Sequence, residues 1–126
     1  MNQLDIAPVN QAHASVVVLD NGAGLLVKFV GSIDVEDPGL VFDSLFAKIH
    51  DGMVSRKIPF VVADFTELAF WNSSGIKAAA KWVMKLAMLP SDLRYQIRIS
   101  HNKAVSWQAT GLPTLIYLVP GFVELN

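Results

Sequence analysis

The run IPFVVADF, residues 58–65, constrains the fold of this chain more than any other stretch. Its apolar residues are continuous, whereas a strand with one solvated face alternates apolar and polar residues. A continuous run of this length is typical of a central strand that is buried on both faces, as in α/β proteins. The run therefore predicts an α/β domain with Val61 and Val62 in a central strand of its sheet. The strand is expected to end at residue 65, with TELAFW, residues 66–71, as a loop after it.

The residues before this run predict a hairpin and a helix. Residues 15–19 and 25–30 are rich in β-branched and apolar residues, and the DNGAG segment between them is a hairpin turn signal. Asp37 followed by Pro38 predicts a helix start, with Asp as the N-cap. Apolar residues at helical spacing continue this helix to about His50, where the following Asp-Gly pair would close it.

The residues after the run predict two further strands and further helices. Apolar residues at helical spacing predict a helix over residues 73–89, ahead of a proline. Residues 95–100 alternate and predict a strand. Asn102 would cap a short helix over KAVSWQAT, a second short helical pattern begins near Pro113, and GFVEL predicts the last strand.

These segments give the order β-β-α-β-α-β-α-β. Strands that alternate with helices predict an α/β fold with a mixed sheet of four to five strands and with helices mainly on one face. The length of 126 residues and the absence of a linker or a repeat favour one domain over residues 1–126, with its core at about 15–125.

Composition excludes several classes of protein. The chain is 52% hydrophobic and 17% charged, which suits a packed core and not a disordered segment. It has 10 basic and 11 acidic residues without a basic block, so no nucleic-acid partner is expected. The absence of cysteine excludes disulfides and thiolate metal sites, and the three histidines lack metal-ligand spacing. No metal and no cofactor is expected.

The sequence also bears on location. Its first residues lack the charged and apolar regions of a signal peptide, and its apolar runs are too short to span a membrane. The cytosol is therefore the expected compartment, without membrane insertion.

The stretch FWNSSGIKAAAKW, residues 70–82, is the candidate functional segment. Asn72 and Ser73 are both preferred N-cap residues and stand where the second helix begins. The end of a helix carries unpaired N–H groups and partial positive charge, so a phosphate on a hydroxyl here would lie over an anion-binding helix end. Gly75 would let another backbone approach closely, and Lys77 adds positive charge. Capping alone is the alternative interpretation of the serine.

A serine-dependent enzyme is the alternative from a different class. A catalytic serine needs a base and an oxyanion hole. The chain has no G-x-S-x-G elbow, and His13, His50 and His101 show no spacing that indicates a triad. No catalytic residue is therefore expected.

Three segments resemble the STAS domain family. DFTELAFWNSSGIKAAAKWV is similar to the family signature, in which a strand ending in Asp is followed by a short loop and then by D-S-S-G or D-S-T-G at the start of a helix. VGSIDV, residues 30–35, resembles the family's G-E-L-D segment, and ATGLPTL, residues 109–115, resembles its T-G-L segment. The resemblance covers about residues 15–125, and the element order matches.

This resemblance implies a non-enzymatic regulator of the anti-sigma factor antagonist type. Such proteins bind a cytosolic serine kinase that holds a sigma factor or another regulator. The kinase phosphorylates the first hydroxyl residue of the motif, which releases the antagonist, and a serine phosphatase restores it. The resemblance assigns the phosphoacceptor to Ser73, with Ser74 as the alternative. It also matches Asp34 to the family's Asp beside that site. A homodimer is left open.

One position departs from the family pattern: Asn72 stands where the family has Asp. Asn caps a helix as well as Asp does but removes a negative charge beside the acceptor. A more distant STAS-like group with Asn at this position is also phosphorylated. The departure therefore bears on which kinase is recognised.

The expected partner-binding surface combines two segments. It comprises Ser32, Asp34, Trp71, Asn72, Ser73, Ser74, Gly75 and Lys77. Phe70, Trp71, Trp82 and Trp107 are the aromatic residues expected in or beside the core, and Trp71 is the one among them expected to reach a partner. For Asp34 a turn cap, and for Lys77 an ordinary solvated position, are the alternatives.

A second function fits the same family. A STAS module can bind a partner without being phosphorylated, as a subunit of a transporter, such as a lipid-transport ATPase, or of a signalling complex. Modification by a kinase separates this reading from the partner switch.

Overall fold

The computed structural model describes residues 3–10, 13–33, 38–71, 73–102, 104–119 and 121–125, with the backbone alone at 38–41, 73–74, 106 and 109–110. The strands are β1 (Val9–Asn10), β2 (Ala14–Asn21), β3 (Gly24–Ile33), β4 (Phe60–Trp71), β5 (Gln96–Ser100) and β6 (Val123–Leu125). The helices are α1 (Pro38–Ser55), α2 (Ser73–Ala87), α3 (Ser106–Gly111) and α4 (Pro113–Ile116), with a 3-10 turn at Ser91–Leu93.

The strands of the described residues form one mixed sheet in the order β1-β2-β3-β4-β5-β6. The pairs β1–β2 and β2–β3 are antiparallel, and the pairs β3–β4, β4–β5 and β5–β6 are parallel. This confirms the predicted α/β class and element order, with β4 in the interior of the sheet. The sheet has six strands where four to five were expected, because β1 is only two residues long and so carries no alternation that a sequence pattern could show.

The hairpin of β2 and β3 confirms the prediction from the Asn-Gly signal. Asn21 pairs with Gly24, which leaves Gly22 and Ala23 as a two-residue turn. Gly22 has φ of +59°, a left-handed conformation that glycine adopts without steric cost. The turn thus sets the register of the two strands.

The sheet buries one face. Pairing aligns Leu25, Val61, Ile97 and Val123 in a row across four strands, and all four side chains are buried. The neighbouring row holds Leu26, Val62 and Arg98, which are only partly buried. We call the side of the sheet that carries this second row the open face.

The expectation that residues 58–65 are buried on both faces is therefore wrong. Val61 is fully buried, whereas Val62 is half-buried on the open face. Val62 lies beside Leu26 on the paired strand, so apolar neighbours in the sheet give it partial cover. A continuous apolar run does not distinguish such lateral cover from cover by a helix.

Helix α1 continues past its predicted end at His50 to Ser55. A Cβ at Gly52 would lie 2.5 Å from Cδ2 of Leu4, so this glycine makes room for the N-terminal segment and does not end the helix. The predicted cap, Asp37, lies outside the described residues. Helix α1 packs against α2 through Phe46 and Trp82, whose rings stack with centroids 4.9 Å apart.

The C-terminal elements confirm a short helix, a second helical turn and a last strand. The predicted cap at Asn102 is wrong, since the residue that precedes α3 is Val105. The Asn102 side chain instead accepts a hydrogen bond from the Ala104 N–H at 3.0 Å, which closes a turn before the helix. In the described part of the chain, no helix has both the length and the apolar character needed to cross a membrane.

Candidate functional site

Helix α2 begins at Ser73, as the sequence predicts. Strand β4 ends at Trp71, so one residue, Asn72, stands between strand and helix; it lies outside the described residues. The first turn of α2 contains no acidic residue, so no carboxylate of its own offsets the partial positive charge of the helix end. The position therefore favours an anion.

Strand β3 brings one predicted partner residue to this place. Ser32 pairs with Phe70, and Ile33 pairs with Trp71, so the end of β3 lies beside the end of β4. The start of the GSID segment, as far as Ile33, thus lies beside the residues at the end of β4, although the two are far apart in the sequence. Asp34 lies outside the described residues, and its placement beside the serine stays a prediction.

Strand β4 is longer than predicted. It was expected to end at residue 65, with TELAFW as a loop, but it continues to Trp71. The extension pairs with β3 through two irregularities in register, at Lys28/Val30 and Gly31/Ser32. Those irregularities break the alternation that would mark a strand in the sequence.

The Trp71 side chain lies in the core, as was expected of the aromatic residues, but the expectation that it is the one to reach a partner is wrong. Its side chain is 2% exposed, because it stands at the end of a strand with its ring turned into the core. It lies in an aromatic cluster, with its ring centroid 5.3–6.5 Å from those of its neighbours. The members of the aromatic cluster are Phe29, Phe42, Phe46, Phe65, Trp71 and Trp107.

Phe70 is the aromatic residue that reaches the surface. It is 46% exposed, since consecutive side chains of a strand point to opposite faces and Trp71 faces inward. Assignment of the segment to a loop hid this distinction. A two-residue period could not have shown it, because exposed pairs of residues interrupt the alternation in this half of the strand.

Gly75 is buried and does admit a close approach, but the approaching group is a side chain. A Cβ at Gly75 would lie 1.6 Å from Nε1 of Trp71 and 2.1 Å from Cδ1. The five-membered ring of the indole therefore packs against the first turn of α2. That Nε1 is buried and has no hydrogen-bond partner among the residues that the structure describes.

Helix α3 holds the second half of β4 in place. β5 pairs with β4 only as far as Asp64, which is opposite Ser100. Beyond that point, Gln108 Nε2 donates to the carbonyls of Phe65 at 2.6 Å and Leu68 at 2.9 Å. Trp107 Nε1 also donates to the Leu68 carbonyl, at 3.1 Å.

Gln108 also fixes the loop after β5. It is fully buried, and its Oε1 accepts a hydrogen bond from the Asn102 N–H at 2.7 Å. Both polar atoms of its amide thus have hydrogen-bond partners, the nitrogen on β4 beyond the end of β5 and the oxygen in the loop after β5. Sequence reasoning missed this residue, because α3 also contains Ser106 and Thr110 and its sequence therefore does not mark one polar residue as buried.

The outer side of α2 is basic and partly apolar. Lys77, Lys81 and Lys85 are exposed, and the helix contains no acidic residue. Lys81 forms an ion pair with Asp43 of α1 at 3.3 Å, with both side chains largely in solvent. Met84 and Met88 lie on the same exposed side. Such a surface complements an acidic partner with an apolar centre.

A buried polar network joins α1, α2 and β5. Trp82 Nε1 donates to the Tyr95 hydroxyl at 2.8 Å, and that hydroxyl lies 2.7 Å from His50 Nδ1. The hydroxyl and Nδ1 share a hydrogen bond in which the tautomer of His50 decides which group donates. Burial lowers the pKa of His50 and raises the pKa of Tyr95. Among the described residues, no group of three His, Cys, Asp or Glu is placed to hold a metal.

These features define a class of fold. A mixed sheet with one buried face, and a helix that opens with a serine pair directly after the fourth strand, make up the α/β architecture expected from the resemblance to STAS domains. The chain is similar to the crystal structure of an anti-sigma factor antagonist from Mycobacterium paratuberculosis, with a TM-score of 0.62 over 92% of this chain and 90% of that chain. This confirms the predicted fold.

The likeness is one of fold, since sequence identity is 16%. No protein-family model and no curated protein matches the chain.

Proposed function

We propose that this protein is a partner-switch regulator of the anti-sigma factor antagonist type, without catalysis of its own. The observation that carries the proposal is the start of α2 at Ser73, directly after β4, in the fold of an anti-sigma factor antagonist. In this function the protein binds a cytosolic serine kinase that serves as the anti-sigma factor. A serine phosphatase reverses the modification.

Ser73 is the proposed phosphoacceptor, and Ser74 is the alternative. A phosphate on the first residue of α2 lies at the positive end of a helix whose first turn holds no carboxylate. Lys77, exposed one turn further on, adds to the attraction. Neutral Asn72 brings no opposing charge where the family has Asp.

The proposed contact surface extends from the end of β3 to the exposed side of α2. Ser32 lies at its β3 end, opposite Phe70, and Lys77 and Met84 lie on α2. Asp34, Asn72 and Ser74 complete it. Trp71 and Gly75 are buried, so they would support this surface from the core side without touching the partner.

Phosphorylation would end binding by placing about two negative charges within this surface. Desolvation of those charges and repulsion from acidic groups of the partner both oppose association. The switch therefore needs no change in the core.

The test combines binding with intact mass. Incubation with ATP and the cognate kinase is expected to add one phosphate to the wild type and none to Ser73→Ala. The Ser73→Glu variant should lose affinity for the kinase by at least about tenfold, whereas Ser73→Ala should keep it. Ser74→Glu is the matched control at the neighbouring hydroxyl.

Two outcomes would redirect the assignment. If Ser73→Glu binds as tightly as the wild type, the switch at Ser73 is refuted. If the mass never changes while a partner still binds, the protein is a STAS-type binding module, as in a transporter or signalling complex.

A further inference from the structure

A groove lies between α1 and α2, and we call it the α1–α2 groove. Its volume is about 170 Å³. Sites for small-molecule ligands have volumes of about 300–1,000 Å³, so this groove suits a side chain of another polypeptide better than a cofactor. The residues that line it are Asp43, Phe46, Ala78, Lys81, Trp82 and Lys85.

The apolar part of the groove is rigid. The rings of Phe46 and Trp82 stack with an interplanar angle of 7°, and both side chains are buried. The Trp82 Nε1 donates to the Tyr95 hydroxyl, which holds the indole in place. Ala78 lies one turn before Trp82 on the same side of α2, and its small side chain leaves the space open. A docking side chain would therefore meet a preformed apolar floor, which lowers the entropic cost of binding.

Three lysines form a stripe along α2, and two of them line the groove. Lys77, Lys81 and Lys85 follow one another at a spacing of four residues, all three are exposed, and α2 contains no acidic residue. Like charges at this spacing repel one another, and Lys77 also stands in the first turn, at the positive end of the helix dipole. The stripe is therefore unfavourable for the isolated helix, and negative charge from another molecule would relieve the repulsion.

One acidic side chain of α1 lies at the groove. Asp43 forms an ion pair with Lys81 at 3.3 Å. Both side chains of the pair are largely in solvent, where an ion pair contributes little and is readily exchanged. The other acidic residue of α1, Asp51, does not line the groove. The lysine ammonium groups can thus bind a carboxylate of another molecule.

Two methionines extend this surface. Met84 is 49% exposed and Met88 is 83% exposed. They stand three residues after Lys81 and Lys85, so they lie on the same side of the helix. Exposed methionine side chains adapt to the shape of an apolar partner. The surface beside the groove combines cations with apolar groups, and its complement is an acidic segment that also carries an apolar residue.

We propose that the α1–α2 groove is the docking site for an acidic segment of the partner protein. A carboxylate of that segment binds Lys81 and Lys85, and an adjoining apolar residue covers Met84 and Met88. That this partner is the serine kinase rests on the proposed function, whereas the charge and shape of the groove do not depend on it.

Docking at the groove would also explain how a phosphate on Ser73 opposes binding. An α-helix rises about 1.5 Å per residue, so Lys77 lies about 6 Å and Lys81 about 12 Å along α2 from Ser73. Charges are screened over about 8 Å at physiological ionic strength. The phosphate would therefore repel the acidic segment and attract Lys77, and both effects would weaken docking.

The first test measures the affinity of the cognate kinase for charge variants. Lys85→Glu is expected to weaken binding by at least about tenfold, because it places a carboxylate against a carboxylate. Asp43→Asn is expected to tighten binding by about threefold, since it removes the competitor for Lys81. Lys48→Glu is the matched control. Lys48 is exposed on α1 outside the groove, so the same change in charge should alter the affinity by less than about twofold.

The second test needs no kinase. A synthetic peptide of alternating glutamate and leucine residues is titrated into 15N-labelled protein, beside the same peptide with glutamine in place of glutamate. The backbone amide resonances of residues 81–85 should shift with the acidic peptide and far less with the neutral one. Added sodium chloride should reduce the shift, because salt screens exposed charges. The amide resonance of Lys48 should stay in place.

The kinase measurement separates this docking site from the proposed function. If the kinase binds the wild type and Lys85→Glu equally, the docking site is refuted and the proposed function stands. Equal weakening by Lys85→Glu and Lys48→Glu would reflect overall charge alone and would refute the docking site as well.

If the kinase neither binds nor phosphorylates the protein, the proposed function fails and the peptide decides. A shift confined to the groove supports the docking site, whereas no shift, or an equal shift with the neutral peptide, overturns it. Binding to vesicles of anionic phospholipid that Lys85→Glu abolishes, without a response to the acidic peptide, would assign the lysines to a membrane surface and would also overturn it.

Discussion

The contact between Trp71 and Gly75 joins the start of α2 to the aromatic core. The space that a Cβ at Gly75 would need is already filled by the indole ring, whose Nε1 and Cδ1 would both lie within 2.1 Å of that Cβ. Helix propensity alone favours alanine over glycine inside a helix. At this residue, packing against the indole therefore favours glycine and helix propensity favours alanine. The larger of the two free-energy contributions decides whether Gly75→Ala stabilises or destabilises the protein.

We expect Gly75→Ala to destabilise the protein. Alanine would gain about 1 kcal/mol from helix propensity. Overpacking against a buried ring costs about 1–3 kcal/mol, and the contact at Gly75 is severe enough for the upper end. The net loss in the free energy of unfolding should be about 2 kcal/mol, measured by urea denaturation.

Gly111→Ala is the matched control. The nearest atom to a Cβ there is Cδ1 of Ile76 at 3.3 Å, the far end of a flexible side chain. Its effect should stay within about 0.5 kcal/mol. A stabilised Gly75→Ala would show that the indole does not occupy this space.

His50 gives stability a pH dependence of known sign. Burial, the largest cause, lowers the pKa of His50, Asp51 opposes the shift and Lys85 adds to it. The unfolded chain, with its histidine pKa near the ordinary value of about 6.5, then binds more protons than the folded chain below that pH. The contribution of neutral His50 is present above about pH 6.5 and is lost as pH falls towards its folded pKa.

We therefore expect the free energy of unfolding to decrease as pH falls from about 7.5 to about 5. Urea denaturation at several pH values measures this, and His50→Gln should flatten that part of the curve. A wild-type curve that is no steeper than the variant's would mean that His50 accepts a proton in the folded protein without loss of the Tyr95 hydrogen bond.

At the scale of elements, the second half of β4 depends on two different neighbours. On one side it pairs with β3 as far as Ile33, and on the other the side chains of α3 replace β5. Strand β4 ends at Trp71, two residues before the first residue of α2, so its position sets where α2 begins. The C-terminal helix α3 therefore positions the candidate phosphorylation segment without belonging to it.

Gln108→Met tests this support. Methionine keeps the volume of glutamine but leaves the carbonyl of Phe65 and the N–H of Asn102 without their side-chain partner. We expect a loss of about 3 kcal/mol in the free energy of unfolding, since each buried group left unpaired costs about 1–3 kcal/mol. Thermal or urea unfolding measures the loss.

The control is the same substitution at Gln96. Its Nε2 makes one hydrogen bond, to the Gly121 carbonyl at 3.2 Å, in a more exposed place. Gln96→Met should cost less than about 1 kcal/mol. Equal losses at the two positions would contradict the role of Gln108.

The elements that the sequence predicts well are those with local signals. The Asn-Gly turn fixes the hairpin, and the Asn72–Ser73 pair marks the start of α2 within one residue. The extension of β4 to Trp71 has no such signal, because it is held by β3 and α3 across the fold. Burial of Trp71 follows from that tertiary pairing, which the sequence does not show. The exposed aromatic side chain was therefore assigned to Trp71 and not to its neighbour Phe70.

At the scale of the whole molecule, helix packing and sheet register separate the candidate switch from the core. Core residues join the sheet to α1 and α1 to α2, as the contacts of Phe29 with Phe42 and of Phe46 with Trp82 show. Ser73 is the first residue of α2, where an added charge meets the helix dipole. A charge added there should alter the surface more than the fold.

On the proposed function, phosphorylation of Ser73 should leave the melting temperature almost unchanged. Attraction between phosphate and the helix end contributes about 0.3–1 kcal/mol, and loss of a serine cap costs about as much. The difference should stay within about 4 °C in a domain of this size. Differential scanning calorimetry of both forms at equal concentration measures it, with kinase-treated Ser73→Ala as the control.

A shift of many degrees, or loss of the folded signal in the phosphorylated form, would show that the switch acts by changing the conformation of the domain.

The two margins of the sheet limit how this protein can assemble. The marginal strands in the described part of the chain are β1, with two residues, and β6, with three, while the long strands β3 and β4 are interior. Strands of two and three residues are short templates, so addition of a further strand to β1 or β6, as in the growth of fibrils, is poorly supported at these two margins. Recognition of a partner through side chains on the surface is then expected instead of strand pairing at β1 or β6, and its specificity would depend on the sequence of that surface.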